Sequence, residues 1–215
     1  MTPPSLHLGP RPRMVFLCED PSIVARQLAG ERVDRAEAGA LRHDVSTDEI
    51  TPVAILSHYD ARLALFTHTG LKCGDQLPVA AGSVQSGGFA VTVAGRRYGK
   101  GSSREHSPAA ERMAGIRLVI AESFERIYRQ NADNIGLFTS THFGLLERIE
   151  RGEAIPVEEL LRDRDPLAAA ILRSGGLLKF GQQHLQDATP ASALAERAMT
   201  LYEKIVRRHL LTTAV

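Results

Sequence analysis

The chain has 215 residues, a mass of 23.4 kDa, 43% hydrophobic residues and a formal net charge of +1. That length suits one domain with extensions and a sizeable core, and the near-neutral balance without a long basic run argues against a nucleic-acid partner. No signal-peptide pattern and no apolar window of membrane-spanning length is visible, so the expectation is a cytoplasmic chain without a membrane partner.

In chain order, the first thirteen residues carry Pro3, Pro4, Pro10 and Pro12 and read as a poorly ordered lead-in. Met14-Val15-Phe16-Leu17 is a short apolar run compatible with a strand, and residues 20–43 are charged and mostly helix-compatible. Residues 1–43 are therefore expected as an N-terminal extension. The two cysteines, Cys18 and Cys73, are widely separated and are expected as small buried hydrophobes. Gly82 to Gly88 is turn-rich, and Phe89-Ala90-Val91-Thr92-Val93 is a β-rich run. A helix is expected to open near Ser107-Pro108 and stop at Gly115, followed by a buried strand over Ile116–Ala121 and a second helix over Ser123–Asn131. Strand, turn, helix and strand in that order are the grammar of an α/β domain. Near the C-terminus, Thr189-Pro190 offers a helix start. Leu194, Ala198, Leu201 and Ile205 then recur at helical spacing, a stripe for packing on this domain or for a subunit contact.

Between the β-rich run and the helix lies Tyr98-Gly99-Lys100-Gly101-Ser102-Ser103-Arg104-Glu105-His106. Its glycines permit a tight turn, and such a turn aims backbone amides, a helix start and Arg104 at one point, which suits a carboxylate or phosphate. A nucleotide P-loop needs lysine after the last glycine, but Lys100 precedes Gly101. A dinucleotide fingerprint needs a third glycine, and a nucleophile elbow needs glycine two residues after the serine; Arg104 stands at both positions. Residue chemistry alone leaves anion binding and a plain structural turn both open.

The segment resembles the Tyr-Gly-x-Gly-Ser-Ser-Arg-Glu-His signature of the aconitase superfamily's swivelling domain, which stands alone as the small subunit of 3-isopropylmalate dehydratase-type isomerases. Ser46-Thr47-Asp48-Glu49-Ile50-Thr51-Pro52 is similar to that family's Ser/Asp-Thr-Asp-x-Ile-x-Pro segment. Ile120-Ala121-Glu122-Ser123-Phe124-Glu125-Arg126-Ile127, with Asn131 and Gly136-Leu137, is similar to its Ser-Phe-x-x-Ile…Asn…Gly-Leu run. Order and spacing agree over residues 44–140.

The resemblance implies an α/β fold, an aconitase-type swivelling β/β/α domain over residues 44–180, with a C-terminal helical extension over 181–215. It implies a hydro-lyase that isomerises a small hydroxy acid, as in leucine biosynthesis. Ser102 would be the catalytic base, acting as an alkoxide, and Ser103, Arg104 and Asp48 would bind or orient the substrate. The substrate-discriminating loop corresponds to Ile55-Leu56-Ser57-His58; lacking arginine, it favours an apolar or small substituent over a third carboxylate, with His58 and Arg62 as the nearby exceptions. Without the family, Ser102 reads equally as a helix-capping hydroxyl and Asp48 as a turn cap. His106 is expected as a local hydrogen-bonding residue, and Glu105 as a counter-charge to Arg104 or Lys100.

A four-iron–four-sulfur cluster of this superfamily takes three or more thiolates, usually with a Cys-x-x-Cys pair, and this chain has neither. The implied arrangement is a heterodimer whose cysteine-bearing large subunit holds the cluster, with no metal ligand here. Alternatives are a related methylmalate or aconitase-like hydratase subunit, a non-catalytic assembly or regulatory subunit, and a phosphate-binding module.

Overall fold

Strand runs that are apolar on both faces build parallel sheets covered on both sides, and this chain carries several. The computed structural model describes residues 4–187 and 200–209. In order it holds β1 (Ser5–Leu6), β2 (Arg13–Phe16), α1 (Pro21–Leu28), the one-turn helix α2 (Thr47–Ile50), two 3-10 segments (Val53–Ile55 and Ala61–Phe66) and the one-turn helix α3 (Ser83–Ser86). Next come β3 (Phe89–Ala94), α4 (His106–Met113), β4 (Leu118–Ala121), α5 (Arg126–Ile135) and β5 (Phe138–Ser140). The remainder is α6 (Leu145–Glu150), β6 (Ile155–Pro156), α7 (Val157–Leu160), α8 (Pro166–Arg173), α9 (Leu177–Asp187) and α10 (Leu201–His209).

Strands β2, β3, β4 and β5 lie side by side in that order, all parallel, with Val91 opposite Leu118 and Leu118 opposite Phe138. A separate two-stranded ribbon pairs β1 with β6 antiparallel. The core gathers Val91 and Val93 with Leu118, Ile120, Tyr98, Tyr128 and Leu137, all buried. Helices α4 and α5 each return the chain to a neighbouring parallel strand, as an α/β unit requires.

The α/β class, the strand at 14–17 and the β-turn-α-β unit are present. Other expectations are corrected. The proline-rich lead-in is paired rather than loose, because Ser5 and Leu6 find Pro156 and Ile155. Residue 44 is no boundary of the fold: β2 is an edge strand of the central sheet, and Val15, Phe16, Leu17, Cys18 and Val24 are buried in the shared core. Residues 20–43 hold one eight-residue helix and then turns.

By their contacts, Met1–Gln182 form one compact unit and Gln183–Val215 a second. In the second, α10 exposes Leu201 and Tyr202; Thr189, Pro190, Leu194 and Ala198 lie outside the described residues. Among the described residues, no helix is long and apolar enough to cross a membrane.

Candidate active site

The Gly99–Glu105 turn leaves the buried Tyr98 and returns into α4. Gly99 and Gly101 have φ of +81° and +109°, a region open to glycine and strained for other residues. A Cβ on Gly99 would also collide with the Tyr128 ring. Ser102 and Ser103 are exposed, and their hydroxyls and amides, with the Arg104 amide, have no hydrogen-bond partner among the described residues. The N-cap residue of α4 is Glu105, and no side chain caps that helix. Ser102 is therefore not a capping hydroxyl.

Asp48 reaches the turn from α2. The cap of α2 is made by Ser46 and Glu49, which bond each other's backbone amides in a reciprocal box, leaving Asp48 free of that task. Its carboxylate forms an ion pair with the Arg104 guanidinium. Arg104 has 18% of its side chain exposed and Asp48 55%, so the guanidinium is mostly shielded while the acid faces solvent.

Thr47 stitches the two pieces together. Its amide donates to the Lys100 carbonyl at 2.8 Å, and its hydroxyl donates to the Ser102 carbonyl at 3.3 Å. Ser107 Oγ on α4 donates back to the Thr47 carbonyl at 3.1 Å. From below, Gly70 lies so close to Asp48 that an added Cβ would overlap the Asp48 carbonyl. Sequence reasoning passed over Thr47 and Gly70, although Thr47 sits inside the quoted Asp48 motif. Glu49 is buried and accepts from Arg42 Nη2 at 3.1 Å.

The Ile55–His58 segment follows α2 directly. Ile55 packs with Leu63, Ala109 and Ala110 on the flank of α4, while Leu56 and His58 are half-buried and Ser57 is exposed. Among the described residues no hydrogen bond joins Ile55–His58 to Ser102–Arg104. The link runs through Tyr59, another residue missed in the sequence: its hydroxyl donates to Glu105 Oε1 at 2.6 Å, and its ring meets His106 edge-on at 5.0 Å. Partial burial and the Glu105 carboxylate push the Tyr59 phenol up to about 12. Glu105 is thus engaged by Tyr59, and among the described residues the carboxylate paired with Arg104 is Asp48. Arg62 is held by its own neighbour: Nε lies 2.9 Å from Asp60 Oδ2 and Nη2 2.5 Å from the same oxygen, which brings the Asp60 carboxyl down to about 2.

Both cysteines are buried, and burial pushes the Cys18 thiol up to about 12 and the Cys73 thiol upward. Cys18 Sγ donates to the Phe16 carbonyl at 3.3 Å and Cys73 Sγ to the Cys18 carbonyl at 3.1 Å. An iron–sulfur cluster of this kind is held by three or more cysteine thiolates, and here both thiols are protonated donors to backbone carbonyls. These two thiols do not fit such a cluster, and among the described residues no group of three or more His, Cys, Asp or Glu could hold a metal ion.

Residues 67–142, which contain the turn and β3 to β5, match the family model of the Aconitase C-terminal domain. The 3-isopropylmalate dehydratase small subunit of Syntrophus aciditrophicus is 38% identical over 117 residues, covering 54% of this chain and 66% of that one. The 3-isopropylmalate dehydratase small subunit of Moorella thermoacetica is 35% identical over 156 residues, covering 64% of this chain and 88% of that one. The isopropylmalate/citramalate isomerase small subunit of Methanocaldococcus jannaschii is 31% identical over 160 residues, 67% of this chain and 91% of that one. With the Moorella and Methanocaldococcus relatives above 30% identical and matched over 88% and 91% of their own length, the chain belongs to the 3-isopropylmalate dehydratase small-subunit family.

Proposed function

We propose that the chain is the small subunit of a two-subunit, cytoplasmic hydro-lyase that isomerises a substituted malate by removing water and returning it the other way round. The observation that carries this reading is the Asp48–Arg104 pair beside an exposed Ser102 whose hydroxyl and flanking amides are unpartnered among the described residues. Isopropylmalate as substrate would give the enzyme its place in leucine biosynthesis.

In this reading Ser102 Oγ, as an alkoxide, takes the proton from a carbon adjacent to a carboxylate. The electron pair of that C–H bond becomes the new C=C bond as the C–O bond on the neighbouring carbon breaks. The departing hydroxide and the proton on Ser102 together make up one water, and hydration reverses the sequence with the two carbons exchanged. Negative charge builds on the carboxylate during proton removal. Arg104, the Ser103 hydroxyl and the turn amides would meet it. The same donors favour the Ser102 alkoxide, since hydrogen bonds to a charged form lower its pKa. A four-iron–four-sulfur cluster would supply a Lewis acid for the leaving hydroxyl, and it is assigned to a cysteine-bearing large subunit, because Cys18 and Cys73 do not fit it.

The Ile55–His58 segment supplies apolar bulk without arginine, and Arg62 is occupied by Asp60. A dicarboxylic hydroxy acid with an apolar or small substituent is the substrate class that follows. Methylmalate is a second reading within that class, favoured by the isopropylmalate/citramalate name of one relative.

The test is anaerobic reconstitution with a cysteine-bearing large subunit, assayed on isopropylmalate, methylmalates and citrate. Turnover is expected in the mixture and absent from this chain alone. Unchanged turnover with Ser102→Ala would instead mark the chain as a non-catalytic assembly or regulatory subunit. Tight binding of inorganic phosphate by the isolated chain, without hydro-lyase activity in the mixture, would favour a phosphate module.

A further inference from the structure

Beneath the Ser102 turn lies a fully buried carboxylate that the chemistry above does not use. Glu111, on α4, accepts a hydrogen bond from the Tyr98 hydroxyl at 2.9 Å on one oxygen and from the Tyr128 hydroxyl on the other. His68 Nε2 stands 3.5 Å from the same Glu111 oxygen that Tyr98 reaches, and His68 is also fully buried. On its far side that nitrogen lies 3.4 Å from Thr92 Oγ1 of β3.

The partners of Glu111 belong to the segments that carry the site. Tyr98 begins the turn and α4 ends it, so the Tyr98–Glu111 bond closes the turn across its base. Tyr128 supplies the ring against which Gly99 is pressed. His68 stands in a left-handed backbone conformation at φ +61°, and its amide donates to the Ile50 carbonyl at 2.8 Å, at the end of the helix bearing Asp48. Two residues on, the Gly70 amide donates to the Glu49 carbonyl at 3.2 Å.

A buried carboxylate costs stability unless its oxygens are satisfied, and well-packed apolar residues would stabilise the same space at least as well. What such a network offers instead is one fixed arrangement of the groups around it. Burial first, then the Glu111 charge, pushes both tyrosine hydroxyls well above their ordinary range, so they remain donors.

We propose that Glu111 is a positioning residue: through Tyr98, Tyr128 and His68 it sets the distance and orientation of Ser102 relative to the Asp48–Arg104 pair. The inference rests on the hydro-lyase reading for its kinetic consequence only. Glu111→Gln keeps the side-chain volume and alters the charge and one acceptor. In the assembled enzyme kcat is expected to fall by about 10–100-fold, the scale of a misplacement near 1 Å, with KM nearly unchanged. In the isolated chain, the amides of Gly99 and Lys100, both bonded to the Val45 carbonyl, should exchange about tenfold faster with deuterium while those of β3 and β4 keep their protection. Tyr128→Phe removes one donor and no charge; it should shift both readouts in the same direction and serves as the variant if Glu111→Gln fails to fold. Wild-type kcat in a folded variant would overturn the proposal, as would exchange that rises uniformly across the sheet with activity lost in step. If the wild-type complex turns over none of the hydroxy acids, the hydro-lyase reading fails, and the local exchange pattern still decides the positioning role.

Discussion

Asp48 and Arg104 stand 56 positions apart in the chain and meet as an ion pair beside the Ser102 turn. A planar guanidinium offers several N–H groups in a fork, so it can keep Asp48 on one edge and present another to a substrate carboxylate. An ammonium in its place is a point charge and cannot serve both partners in fixed geometry. Arg104→Lys is therefore expected to lower kcat/KM by about 100-fold, chiefly through KM. Ser102→Ala should behave differently, losing about a thousandfold or more in kcat because the base acts only in the transition state. Its hydroxyl has no partner among the described residues, so thermal stability should change by less than about 0.5 kcal/mol. Steady-state kinetics on the reconstituted complex, with melting curves of the isolated chain, separate the two.

The close approach of Gly70 to the Asp48 carbonyl makes a second test. Gly70→Ala places a methyl group where backbone already stands, so the helix bearing Asp48 must move. Overpacking of this type costs about 1–3 kcal/mol. Activity should fall more than the melting shift explains, because Asp48 shifts relative to Arg104. A variant with normal kinetics and a normal melting temperature would show that the contact is relaxed without consequence.

The buried thiols carry a prediction of silence. A Cys18 thiol raised from 9.0 to about 12 is almost wholly protonated at neutral pH, and only the thiolate attacks alkylating reagents. Neither cysteine should react with iodoacetamide at pH 7.5 until the chain is unfolded, and C18A/C73A should still support turnover with the large subunit. The same shift has a pH consequence. The folded state holds its proton more tightly, so this contribution to stability is complete below pH 9.0 and is lost as pH rises toward about 12. Rapid labelling of the native chain would contradict both statements.

Substrate preference should respond to Ser57. A third carboxylate buried without a cation costs about 3–5 kcal/mol, or roughly two to three and a half decades in specificity. The unmodified complex is expected to prefer isopropylmalate or a methylmalate over citrate, and Ser57→Arg should move that preference toward citrate. A higher kcat/KM for citrate in the unmodified complex would mean that His58 supplies the charge, since Arg62 is held by Asp60.

The sequence was most legible where structure is local. The strand at 89–94, the glycine turn and the following helix are each encoded by adjacent residues, and all three stand in the structure. It was least legible where distant segments compete. Ser123 was expected in a helix, but its carbonyl accepts from the Tyr98 amide at 2.9 Å and the Glu125 amide donates to the Tyr98 carbonyl at 2.9 Å, which delays the helix to Arg126. The N-terminal prolines suggested a loose lead-in because its strand partner, Ile155–Pro156, is remote in the chain. The site showed the same division. Ser102, Arg104 and Asp48 lie inside recognisable motifs, whereas Tyr59, Gly70 and Glu111 act through contacts that no local pattern announces.

The edge position of β2 also sets a timetable for synthesis. Arg13 must wait for Phe89, a separation of 89 − 13 = 76 residues, before its strand has anything to pair with. At about 5–20 residues per second that interval lasts about 4–15 s, during which Val15, Phe16 and Leu17 have only the nearby Gln27 and Arg42 to bond and no sheet to cover them. Ser5 waits longer still, for Pro156. The nascent chain therefore presents a chaperone-binding stretch early and withdraws it late, and production of the protein should depend on chaperone supply more steeply than its modest size suggests.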